Sequence, residues 1–231
     1  MSSWTSELGR RRLLSLLSRG AGGAVLGAGL LATPAAAETA LDVRILQTAS
    51  SLEALAVAFY GSVPEGAGAR GAGATLAAFA RDASRQHVEH RRAFQARTTA
   101  LGGRVQDAPN PKFLPMVAAA DLSTPAKLVD VAATIEKVAT DTYLLDLSML
   151  ADGPSKAIVA GVMAVGAQRL ATLRTVSALL AAGAEPLVTF ALLTSDLATV
   201  PAPVGSVAFP DALHQVGGPE LVAEPASGAL A

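Results

Sequence analysis

The chain has 231 residues, 51% of them hydrophobic and 16% charged, which is enough apolar material for one sizeable core. Aromatics are only 4% while alanine is abundant, favouring close-packed helices over a β-sandwich. A net charge of −1 offers no footprint for nucleic acid, and the lack of cysteine excludes disulfides, thiol catalysis and thiolate metal sites, leaving carboxylates and imidazoles as ligands, a set that suits iron, manganese or zinc better than copper(I).

Residues 1–37 read as an export signal. Gly9-Arg10-Arg11-Arg12-Leu13-Leu14 resembles the twin-arginine motif, a weakly apolar Gly/Ala stretch follows from Ala21 to Leu31, and Pro34 with Ala35-Ala36-Ala37 offers a small-x-small cleavage site. The apolar run is too short and glycine-rich to span a bilayer well, so no stable membrane span is expected after cleavage, and a periplasmic or cell-envelope location is.

Four segments then carry helical periodicity. The first runs from Leu41 to Ser62 on a stripe of Ile45, Ala49, Leu52, Ala56, Phe59 and Tyr60, and Pro64 and the Gly66–Gly73 cluster end it. The second runs from Ala74 to Leu101, with Leu76, Phe79, Ala83 and Phe94 on its stripe and Gly102-Gly103 as its stop. A long connection holding Pro109, Pro111 and Pro115 leads to a third helix from Ser123 or Thr124 to Leu150, where Pro125 fits the first turn. After the turn Asp152-Gly153-Pro154, a fourth runs from Ser155 to Ala182 and stops at Gly183. Short, long and short connections imply two helical hairpins joined by a crossover. A short fifth helix is expected within Pro186–Leu197, giving a bundle domain over 38–198, and the Pro/Gly/Ala-rich stretch 199–231 reads as an irregular tail.

Glu53, His87, His90 and Glu136 lie on these apolar stripes, where an ionisable group is costly unless it is paired or bound to metal. Stripe-edge carboxylates that snorkel to solvent, and core histidines bonded to neighbours, are the plainer alternatives. Tyr60 and Tyr143 read as amphipathic packing residues. His214 lies alone in the tail, the glycine run lacks the lysine of a phosphate-binding loop, and the arginines between Arg81 and Arg97 are mixed with acids as on a solvated face.

Ile45-Leu46-Gln47-Thr48-Ala49-Ser50-Ser51-Leu52-Glu53, Gln86-His87-Val88-Glu89-His90 and Glu136 ahead of Thr142-Tyr143 together resemble exported bacterial ferritin-like domain proteins, over most of residues 42–182. The resemblance implies an all-α, ferritin-like four-helix bundle. It also implies a di-metal site with one Glu each from the first and third helices and Glu-x-x-His from the second and fourth. Glu53, Glu136 and His90 match that pattern. His87 stands where a Glu is expected, and the fourth-helix tetrad is Gly166-Ala167-Gln168-Arg169, so both bridging carboxylates are missing and a standard dinuclear oxygen-activating centre is not expected.

Two readings remain open. Glu53, His87 and His90, with or without Glu136, hold a single divalent ion, iron or manganese; or Arg169 replaces the metal by pairing with Glu136 and Glu53, leaving a metal-free bundle with a structural or stress-protective role in the cell envelope. A second copy of the chain and an envelope protein are the partner classes compatible with either.

Overall fold

The computed structural model describes residues 33–63 and 72–188. Four long helices, α1 (Pro34–Ser62), α2 (Ala72–Ala100), α4 (Pro125–Met149) and α5 (Gly153–Ala181), form the bundle, and a short helix α3 (Leu114–Ala118) lies in the crossover. There is no strand among the described residues. α1 packs chiefly on α2 and α4 on α5, so the hairpin–crossover–hairpin order expected from the connection lengths is observed.

The helix ends follow from local chemistry. α1 begins seven residues before the expected Leu41, because Thr33 accepts from Ala36 N at 3.3 Å and Pro34 occupies the first turn, where its missing N–H costs nothing. The Ala35–Ala37 stretch expected as a cleavage site therefore forms the first turn of α1, and the arginine motif lies outside the described residues. Thr124 caps α4 and Asp152 caps α5, each followed by a proline in the first turn. α2 and α5 both end with a left-handed glycine, Gly102 (φ 79°) and Gly183 (φ 68°), followed by an N–H bonded back five residues, Gly103 to Thr98 and Ala184 to Leu179.

The crossover is the main departure from the sequence expectation. Pro115 starts α3 rather than breaking structure, and the crossing chain lies along α1. Gln47 Nε2 donates to Arg104 O (2.8 Å), Ser50 Oγ to Gln106 O (2.8 Å), and Asn110 N to Ser51 O (3.0 Å). This explains why Gln47, Ser50 and Ser51 are buried on a helix whose opposite face fills the core. At the far end of the fold, the segment expected as a fifth helix opens as a 3₁₀ turn (Glu185–Leu187), and its remainder from 189 onward, like the tail, lies outside the described residues.

Asp42, 2% exposed, ties α1 to the α4–α5 turn: its two carboxylate oxygens accept from Ala151 N (2.9 Å) and Asp152 N (2.8 Å). Arg97 on α2 grips Asp152 with two N–H bonds of 2.9 and 2.6 Å. Asp42→Ala should leave two backbone N–H groups short of acceptors and cost about 2 kcal/mol, read as a lower urea midpoint at unchanged slope.

Two apolar clusters make the core. One holds Phe59, Leu76, Leu128, Ile135, Leu173 and Leu179; the other holds Ile45, Leu46, Leu52, Phe94, Leu150 and Val159. On the long helices Glu53, His87, His90, Glu136 and Arg169 fall between these two sets, so a charged layer crosses the middle of the bundle.

Candidate metal centre

That layer is built from one position on α1 (Glu53), two on α2 (His87, His90), one on α4 (Glu136) and one on α5 (Arg169). His87 and His90 are three residues apart and so share a face. Glu53, His87 and Glu136 are at most 1% exposed, Arg169 is 7% exposed and His90 14%.

His87 bridges the two carboxylates: its Nδ1 lies 2.6 Å from Glu53 Oε2 and its Nε2 3.1 Å from Glu136 Oε1. Ionised carboxylates only accept, so both ring nitrogens must donate and the ring is an imidazolium. Burial by itself would depress the His87 pKa, but the charges and hydrogen bonds of Glu53 and Glu136 outweigh it and raise the value to about 9. Burial likewise opposes ionisation of Glu53 and Glu136, yet His87, and for Glu136 also Arg169, hold both below the usual carboxylate range. Arg169 Nε donates to Glu136 Oε1 at 2.8 Å and its Nη1 to Gln86 Oε1 at 2.8 Å. Two anions thus face two cations inside the bundle.

The tyrosines are more than packing residues. Tyr60 OH donates to Glu136 Oε1 (2.8 Å) and Tyr143 OH to Glu53 Oε1 (2.5 Å). Burial first, and then these carboxylates, push both phenols well above their ordinary range, so they stay protonated donors. Each tyrosine lies seven residues after the glutamate of its own helix and bonds the glutamate of the other. Glu53/Tyr60 on α1 and Glu136/Tyr143 on α4 are therefore related by an internal two-fold that the sequence shows only as an equal spacing.

The arrangement differs from the sequence expectation at two further points. The hydrogen bonds and ion pair of Arg169 go to Glu136 and Gln86, not to Glu53, and Gln86, which sequence reasoning left out, holds the far side of the guanidinium. Glu136 gives its Oε1 to three donors while its Oε2 is buried with no hydrogen-bond partner. Glu53, His87 and His90 form a metal-capable group, each offering one ligand atom within 4.8 Å of the others. His90 Nδ1 is buried without a hydrogen-bond partner, and its contact with Glu53 Oε2 at 3.3 Å is an ionic one. His90 also lines a surface groove of about 480 Å³ with Arg85, Gln86, Val88 and Glu89.

The Ferritin-like domain family matches residues 41–179, spanning all four long helices and the crossover. The chain belongs to the ferritin-like domain family. No curated protein and no solved structure matches it. Within this ferritin-like bundle, the charged layer lies where the two hairpins face each other, the usual place for a site made from bundle-facing side chains.

Proposed function

We propose that this ferritin-like protein binds a single divalent ion, iron or manganese, through Glu53, His87 and His90, and that it works outside the cytoplasm after export by the twin-arginine motif at Arg10–Arg12. The observation that carries the metal reading is the His90 Nδ1 atom. It is buried, lacks a hydrogen-bond partner and lies against Glu53 Oε2, in a group whose three ligand atoms fall within 4.8 Å. A buried imidazole nitrogen without a partner is costly, and a cation shared with a carboxylate and a second histidine removes that cost.

The donor set fits one ion and does not fit a dinuclear centre. Two histidines and a carboxylate are a recurrent set for a mononuclear divalent site with open positions. On the Glu136 side, Gly166 supplies no ligand and Arg169 brings a cation to the carboxylate. An iron or manganese ion held by Glu53, His87 and His90 would supply Lewis acidity or one-electron chemistry. The residues themselves hold and orient: Tyr143 fixes Glu53, Tyr60 and Arg169 fix Glu136, and Gln86 holds Arg169.

Metal content of the full-length chain tests this directly. One ion per chain is expected, and His90→Ala should abolish it without unfolding the bundle. His87 must give up a proton to become a ligand, so uptake should release about one proton and the apparent affinity should rise up to tenfold per pH unit toward the His87 value of about 9. Calorimetric titration in buffers of different ionisation heat measures the proton.

A second reading has an observation of its own. Glu53 and Glu136 are already balanced by His87 and Arg169 without metal. No binding after reconstitution with excess ferrous or manganous ion would favour a metal-free bundle with a structural or stress-protective role in the cell envelope.

A further inference from the structure

We propose that Arg169 is a tethered cation standing in the second half of the centre, so that this half takes no metal ion. The internal two-fold pairs Glu53 with Glu136 and Tyr60 with Tyr143, and it is broken only where α2 and α5 contribute. The three-residue pair His87/His90 on α2 has Gly166/Arg169 as its counterpart on α5. The second half thus keeps its carboxylate and its tyrosine brace but has a guanidinium in place of an imidazole.

The geometry shows how that cation is seated. Arg169 is 7% exposed, and its Nε reaches the oxygen of Glu136 that also receives Tyr60 and His87. Its Nη1 is anchored by Gln86, so the guanidinium spans α2 and α4 from α5. A permanent cation at this carboxylate repels a second divalent ion and occupies the oxygen that such an ion would use. Gly166 completes the arrangement. A Cβ there would stand 3.0 Å from Thr140 Oγ1 and 3.7 Å from Glu136 Oε2, and both of these oxygens are buried without hydrogen-bond partners. A side chain at 166 would therefore start beside the unused oxygen of Glu136, with Thr140 Oγ1 having to give by a few tenths of an ångström.

The proposal draws on the single-ion reading only for what fills the first half, and one experiment separates the two. The double variant Gly166→Glu/Arg169→His replaces the tethered cation with a Glu-x-x-His pair. Wild type and variant, as full chains with folding verified by circular dichroism and a cooperative melt, are titrated with manganous ion, and bound metal is counted per chain. One more ion in the variant than in wild type is expected. Counts of one and two support both proposals; counts of zero and one overturn the single-ion reading and keep this one. Equal counts in two folded proteins overturn it. If the double variant does not fold, Arg169→His alone, which leaves Gly166 and its close neighbour Thr140 undisturbed, is counted in the same way, and the same gain or lack of gain decides.

Discussion

Arg169→Ala is expected to lower the unfolding free energy of the metal-free chain by about 3–5 kcal/mol, the cost of leaving one member of a buried ion pair without the other. Glu136 is fully buried and its pKa is held down by His87 and Arg169 against the pull of burial. Removing the guanidinium leaves Tyr60 and His87 on one oxygen, and nothing new reaches the other, so the carboxylate must be carried underbalanced or take up a proton. Gln86 also loses its donor. Arg169→Lys keeps the charge but not the planar fork that joins Glu136 to Gln86, and should fall between alanine and wild type. Pairing Arg169→Met with Glu136→Gln removes both charges and should recover part of the loss, so the two single effects should not add. Urea unfolding of wild type, Arg169→Met, Glu136→Gln and the double variant at one pH gives the cycle. An Arg169→Ala chain within about 0.5 kcal/mol of wild type, the range of ordinary surface substitutions, would mean that the pair contributes nothing to the fold.

How far the sequence could have foretold this layer depends on which physical link is asked about. Helical period alone places Glu53, His87, His90, Glu136 and Arg169 on inward stripes, because an α-helix repeats its faces every 3.6 residues and the flanking apolar residues mark the core side. The capping residues Thr124 and Asp152, the first-turn prolines Pro125 and Pro154, and the terminal glycines Gly102 and Gly183 were legible for the same local reason. What could not be read is which inward groups meet. Arg169 reaches Glu136 and not Glu53 because α5 packs mainly on α4, a fact about hairpin packing that no spacing within α5 contains. The tyrosine braces cross between hairpins, and the equal seven-residue spacing was their only trace in the sequence. Gln86 stands beside His87 in the sequence, but nothing at that position marks it as the partner of Arg169. The buried polar run of α1 contradicts a simple amphipathic reading until the crossover is laid along it and its serines and glutamine find carbonyls.

The second large effect is expected in alkali. His87 carries a proton in the folded metal-free chain up to about pH 9, whereas an ordinary histidine loses it near 6.5. Its folded pKa is raised, so its contribution to stability is fully present below the unfolded value, declines through the interval between the two, and is gone above about 9. At 1.36 kcal/mol per pKa unit the loss is about 3 kcal/mol. Glu53 and Glu136 work in the opposite direction: their pKa values are lowered, so their contribution is present above the ordinary carboxylate range and lost as pH falls below it. Tyr60, Tyr143 and Arg169 do not titrate in the alkaline window, since all three are shifted upward. The metal-free chain should therefore be most stable in mildly acidic solution and lose stability steadily toward pH 9. His87→Gln, which cannot be an imidazolium, should be less stable at low pH but flat across that interval. Urea midpoints for both chains over the range measure this, and equal slopes would show that His87 does not bridge the carboxylates as a cation. The same titration bears on the metal. An ion at Glu53, His87 and His90 replaces the His87 proton as the neutralising charge, so one equivalent of manganous ion should raise stability most where the proton is being lost and erase the alkaline decline. A decline that persists unchanged with excess metal would mean that the proton and the ion do not compete for one place.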